Sequence, residues 1–149
     1  MGIFISFGTV PTSRMPKGNI GYWWELQLDV GPEEEGDQWE KKLLEGVTEI
    51  EFPKTEHGFL TMRPNSVMHI NQATGGLLGT IFGYGPGNYH FDNTGIYIPL
   101  CQHREILMQL QHALLAHTDI WGCDLAQRVV NEALKVLETH GRTAVLVIN

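Results

Sequence analysis

Carboxylates are the side chains of this sequence with the clearest potential for binding, because eleven of its 17 acidic residues fall within residues 25–56. That segment contains three lysines and no arginine, so its formal charge is −8, whereas the six acids and seven bases elsewhere sum to +1. Carboxylates at this density repel each other and raise the free energy of the folded chain unless solvent, cations or a basic partner offset them. The sequence therefore predicts an acidic surface suited to a basic partner.

Part of this charge falls on two segments, 22–30 and 47–52, in which apolar and polar residues alternate as in half-buried strands. If the two strands are neighbours, their outward carboxylates share one face of the sheet with Trp23, a residue type enriched at binding hot spots. The loop that follows the first strand adds acids at the rim. The predicted partner-binding residues are Trp23, Glu25, Asp29, Glu33, Glu34, Glu35, Glu49 and Glu51. A solvated face that only keeps the protein soluble is the simpler interpretation of the same charges.

A divalent cation held by the same carboxylates is a weaker hypothesis. Asp29, the pair Glu49 and Glu51, and Lys54 are only partly similar to the acid spacing of metal-dependent nucleases, because Glu51 stands where a lysine is expected. The net charge of −7 also opposes a nucleic-acid ligand, since phosphate binding needs clustered Lys and Arg. We therefore predict no metal, no cofactor and no direct contact with nucleic acid.

The histidines and a glycine-rich loop supply an alternative site. Six of the seven histidines lie between residues 57 and 117, but no H-E-x-x-H or C-x-x-C motif is present. Three glycines in the loop 83–92 permit close backbone approach to a small polar ligand or a nucleotide base. The residues of this alternative ligand site are His69, Tyr84, Asn88, Tyr89, His90 and Asp92. On this hypothesis the chain is a small-molecule-binding or nucleotide-binding protein, or a small hydrolase; a simple hairpin tip is the competing interpretation.

No nucleophile stands out. The sequence has no G-x-S-x-G motif, and the proximity of Cys101 to His103 along the chain is not a catalytic geometry. Cys101 and Cys123 are interpreted as free thiols in a reducing compartment, although the sequence leaves their pairing open. No catalytic residue is assigned, and a binding protein is favoured over an enzyme.

Length and composition indicate one soluble α+β domain over residues 1–149. The 42% hydrophobic and 18% charged fractions are ordinary for a globular protein. The N-terminal residues lack a basic region and a cleavage site typical of a signal peptide, and no segment approaches the ~18–20 apolar residues of a membrane span. These features predict a cytoplasmic protein.

The periodicity of the chain predicts strands first and helices last. Segments 3–10, 22–30, 47–52, 59–63, 66–71, 77–82 and 96–100 are interpreted as strands, and 33–46 as a short helix. Segments 102–117 and 124–140 repeat apolar residues at helical spacing, with Asp124 as a candidate N-cap and Gly141 as a stop. The run 144–148 is a buried strand. The sum is a largely antiparallel β-sheet with two C-terminal α-helices packed on one face and a final C-terminal strand.

The charge pattern leads to one functional hypothesis. A small acidic protein with an aromatic anchor is suited to occupy a basic site on a partner protein and to inhibit it. Immunity-type and anti-defence inhibitors of nucleases, toxins or defence enzymes are the concrete form of this hypothesis.

Overall fold

A computed structural model describes residues 3–14, 47–50, 60–62, 64–81 and 96–148. Five strands of these residues form one sheet, and every pair of neighbours is antiparallel. The strands are β1 (Ile3–Thr9), β2 (Thr48–Ile50), β3 (Leu60–Met62), β4 (Ile96–Pro99) and β5 (Ala144–Ile148). The predicted α+β fold with a largely antiparallel sheet is confirmed.

The centre of the sheet is formed by β1 and β5, the first and last strands along the chain. Their register pairs Ile5 with Ile148 and Thr9 with Ala144, and β4 pairs with the other side of β5. On the opposite side of β1, β2 and β3 share one edge, since Phe7 pairs with Ile50 and Ile5 with Leu60. The two short strands therefore lie along the same edge of β1, β2 beside its C-terminal part and β3 beside its N-terminal part.

The continuous apolar run of β5 reflects burial on both faces of the sheet. Ala144 and Leu146 belong to the core shared with the helices, whereas Val145 and Val147, which alternate with them, are buried as well. A strand covered on both sides has no polar face to alternate with its apolar one. The predicted buried strand at 144–148 is confirmed for this reason.

The described residues contain four α-helices, which share one hydrophobic core with the sheet. They are α1 (Pro64–Ala73), α2 (Leu77–Ile81), α3 (Arg104–Leu114) and α4 (Cys123–His140). One hydrophobic core joins Ile5 and Phe7 of β1 to the buried stripes of all four helices. In α3 the buried stripe is Leu107, Leu110 and Leu114, at the spacing that the sequence predicted.

The prediction of strands at 66–71 and 77–82 is wrong, because these residues form α1 and α2. Val67 and Ile70, three residues apart, are both buried, which is the spacing of one helix face rather than of a strand. Pro64 is the first helical residue, where its fixed φ and missing N–H are tolerated. The β-branched residues of these segments favour strands locally, but burial of one helical stripe in the core decides the conformation.

A tight double-glycine turn connects α1 to α2. Gly75 and Gly76 have positive φ, and the N–H of Gly76 donates to the carbonyl of Asn71 at 2.8 Å, as in a Schellman motif. The buried Asn71 side chain accepts the N–H of Gly79 at 2.7 Å, so it caps the first turn of α2 from the preceding helix. The capping role of Asn71 was not predicted from the sequence.

The structure contradicts the predicted N-cap of α4 and confirms the predicted end of the helix. Asp124 is not the N-cap, because the helix begins at Cys123 after Gly122, whose φ is +88° and which makes no side-chain cap bond. An added Cβ at Gly122 would lie 3.0 Å from Cβ of Ser66 in α1, so the start of the helix is set by this close packing. Gly141 ends the helix with a positive φ, as predicted.

Candidate functional site

Of the residues predicted to form the acidic surface, only Glu49 belongs to the part of the chain that the structure describes. Its companions Trp23, Glu25, Asp29, Glu33, Glu34, Glu35 and Glu51 lie outside the described residues. Glu49 is the middle residue of β2 and is exposed, whereas Ile50 beside it packs against the core. The short strand thus fixes the backbone of Glu49 and leaves its carboxylate in solvent.

The position of β2 depends on a glycine in the neighbouring strand. Glu49 pairs with Gly8 of β1, and an added Cβ at Gly8 would lie 2.7 Å from the carbonyl oxygen of Thr48. The same Cβ would lie 2.6 Å from Cγ1 of Val47. Since real Cβ atoms do not approach backbone oxygen so closely, only glycine at this position lets β2 and its carboxylate lie where they do.

Gly8→Ala is therefore expected to lower the free energy of unfolding by about 1–3 kcal/mol, because the added methyl group must displace β2 or strain β1. Urea unfolding followed by circular dichroism measures the change. Ser6→Ala, a half-buried position two residues earlier on the same strand, is the matched control and should change stability by much less. Equal stability of Gly8→Ala and the wild type would contradict the close approach of β2.

The alternative ligand site is described only at His69. The sequence placed His69 on a strand, but it lies on α1 with its side chain exposed. Tyr84, Asn88, Tyr89, His90 and Asp92 lie outside the described residues. Within the described ranges, no group of three or more His, Cys, Asp or Glu side chains is arranged to hold a metal ion.

Both cysteines are free thiols. Cys101 is half-buried in the turn before α3, and Cys123 is buried at the first residue of α4. The thiol of Cys123 donates to the carbonyl of Leu114, with Sγ and O 3.4 Å apart. Burial raises the pKa of Cys123, and the negative charges of Asp124 and Asp119 raise it further, which disfavours a reactive thiolate.

The burial of His103 was not predicted from the sequence. Its side chain is 5% exposed at the N-cap position of α3, where it makes no capping bond. Among the residues that the structure describes, Nδ1 of His103 is buried without a hydrogen-bond partner. Desolvation by burial lowers the pKa of this imidazole. No pattern separates His103 from the other six histidines, since its burial depends on how α3 leaves the sheet.

Comparison with family models, with curated proteins and with solved structures finds no match to this chain. None of the helices in the described parts of the chain is long and apolar enough to span a bilayer.

Proposed function

We propose that this chain is a small acidic binding protein that inhibits a partner by occupying a basic site on it. The observation that carries the proposal is the concentration of eleven acids in residues 25–56, with a net charge of −8. An immunity-type or anti-defence inhibitor of a nuclease, a toxin or a defence enzyme in the cytoplasm fits this chemistry. Such partners bind phosphate chains through clustered Lys and Arg, which an acidic protein surface can neutralise.

The contrast between the acidic segment and the remaining charges supports the proposal. The described residues outside this segment carry five acids and five bases, so the helices and the central strands are electrically balanced. On α4, for example, Lys135 lies 3.5 Å from Glu132. A need for solubility alone would be met by charges spread over the whole surface. Charge confined to one segment instead creates a directional field that orients an approaching basic partner.

The described geometry of Glu49 is compatible with this role. Its carboxylate is exposed on a strand whose neighbour Ile50 is held by the core, so the charge is presented from a fixed backbone. A preorganised charge loses little conformational entropy on binding. In the proposal, Glu25, Asp29, Glu49 and Glu51 set the association rate, Trp23 anchors the complex, and Glu33, Glu34 and Glu35 form the rim.

The proposal predicts that neutralising four of these acids weakens capture of the partner. The test variant carries Glu25→Gln, Asp29→Asn, Glu49→Gln and Glu51→Gln. Each protein is used as bait in native lysate at low salt, and the captured proteins are identified by mass spectrometry. With the recovered partner, the association rate of the variant should be lower by ~10-fold or more at low salt, the range that electrostatic steering supplies.

The matched control changes the net charge by the same amount elsewhere. It carries Glu105→Gln, Asp119→Asn, Asp124→Asn and Glu138→Gln, four exposed positions on or next to α3 and α4. The control should capture the basic partner as the wild type does, and added salt should release it from both. Equal capture by all three baits, loss in both variants, or no basic partner for the wild type would each contradict the proposal.

A further inference from the structure

The junction between β4 and α3 contains a buried histidine in an unusual position. The N–H of His103 donates to the carbonyl of Leu100 at 2.9 Å, which closes a turn between the strand and the helix. The N–H of Leu100 in turn donates to the carbonyl of Ala144 at 3.1 Å, which fastens this turn to β5. His103 therefore lies at the junction between the sheet and α3.

The position of His103 on the helix opposes a positive charge. As the N-cap of α3 it lies at the end of the helix where backbone N–H groups point outward and the helix dipole is positive. Ser, Asp and Asn are favoured here because they accept those N–H groups. A neutral imidazole can be tolerated at this place, but an imidazolium has a charge of the wrong sign and only donors to offer.

Among the described residues, the elements near the start of α3 place no buried carboxylate beside the imidazole. α2 and β5 contain no ionisable residue, and β4 contributes Tyr97. On α3 itself, Arg104 and Glu105 follow His103 and are both exposed. Cys101, in the preceding turn, is half-buried.

The adjacent half of α4 contains both exposed and half-buried titratable residues. The helices are antiparallel, since Gln111 bonds to Asn131 at 2.7 Å and Leu114 bonds to Cys123. The α4 residues nearest the start of α3 are consequently those toward its C-terminus. Their titratable members are Glu132, Lys135, Glu138 and His140, of which the last three are exposed and Glu132 is paired with Lys135.

We propose that His103 makes the junction of β4 and α3 an acid-sensitive latch, in which uptake of a proton by the buried imidazole releases the first turn of α3 from the core. The proton comes from solvent, and the charged ring can be hydrated only if this turn opens. The junction is held by the two backbone bonds of the 100–103 turn and by a third bond, in which the N–H of Leu107 donates to the carbonyl of His103 at 2.8 Å. It lies next to β4, the outermost strand on that side of the described sheet, so opening there disrupts less structure than opening at β1 or β5. This inference is independent of the proposed partner.

The sign of the effect follows from the lowered pKa of His103. The unfolded chain has the ordinary value of 6.5, above that of the folded protein, so the unfolded or opened chain binds the proton first as the pH falls. Stability is therefore complete above about pH 6.5 and is lost as the pH falls toward the folded-state pKa. Within that window, each unit by which the pH falls raises the equilibrium constant for opening by up to about tenfold.

Amide hydrogen exchange at about pH 7.5 and about pH 5.5, corrected for intrinsic rates, tests the latch. In the wild type, residues 100–107 should open up to about tenfold more at the lower pH, with little change in β1 and β5. His103→Leu, which has no proton to bind, should remove this response. His112→Gln, at an exposed histidine on the same helix, should retain it.

A second measurement does not depend on any variant. The ring signals of His103, followed by NMR through the same pH range, should show a midpoint below 6.5, accompanied by line broadening at 100–107. A midpoint at or above 6.5, or an acid response in His103→Leu equal to that of the wild type, would overturn the proposal. If His103→Leu does not fold, His103→Gln takes its place in the exchange experiment with the same expected result.

Discussion

Phe7→Ala is expected to lower the free energy of unfolding by about 3–5 kcal/mol, the usual cost of removing a fully buried aromatic ring. Phe7 is the largest fully buried side chain of the described core. Its backbone pairs with Ile50 of β2 on one side and with Leu146 of β5 on the other. The cavity left by the ring would therefore lie at the centre of the sheet, where neighbouring strands cannot collapse to fill it.

Urea unfolding followed by tryptophan fluorescence and circular dichroism measures this loss. Thr9→Ala, a half-buried position on the same strand, is the control and should change stability by less than a third as much. Similar losses for the two variants would show that Phe7 does not occupy the core. Because domains of this size commonly have only about 5–15 kcal/mol of stability, the loss is roughly a fifth or more of the total.

Leu110→Ala is expected to lower the free energy of unfolding by about 2–5 kcal/mol. Leu110 is fully buried at the middle of the apolar stripe of α3, between Leu107 and Leu114. The substitution keeps helix propensity high, since Ala is the best helix former. The loss would therefore report the packing of α3 on the core rather than an intrinsic weakness of the helix.

Met108→Ala on the same helix is the matched control for Leu110→Ala. Met108 is 56% exposed, so its truncation should change stability by about 0.5 kcal/mol or less. Both variants are compared by thermal and urea unfolding at equal protein concentration. A larger loss at Met108 than at Leu110 would mean that α3 presents the opposite face to the core.

The two long helices were predictable because their signal is local. The stripe of α4 contains Ala126, Val129, Val130 and Ala133, whose spacing is visible in the sequence and matches the observed burial. The final strand was predictable for a related reason, since a continuous apolar run too short for a helix indicates burial on both faces. In each case one segment carries the whole pattern.

Helices α1 and α2 were not predictable in the same way. Their segments are short and polar in part, and β-branched residues together with glycines favoured strands. Only the burial of Val67, Ile70, Leu78 and Ile81 in the shared core gives these segments a helical stripe. A five-residue helix such as α2 has little stability of its own and depends on tertiary packing.

The candidate site likewise has features that the sequence predicts and features that only the structure shows. The concentration of carboxylates in residues 25–56 is a property of composition, and the sequence alone predicts its sign, its size and the basic character of a matching partner. That Glu49 lies on a strand beside Gly8, with Ile50 held by the core, is visible only in the structure.

Local patterns in the sequence predict the fold class, the two long helices, the buried last strand and the segregation of charge. Each of these features depends on the spacing or type of residues that are close together in the chain. Only the folded structure shows the order of the strands, the helical state of α1 and α2, the close approach at Gly8 and the burial of His103. Each of these depends on which distant segments pack together, and burial changes the free energy of a side chain only when its neighbours are in place.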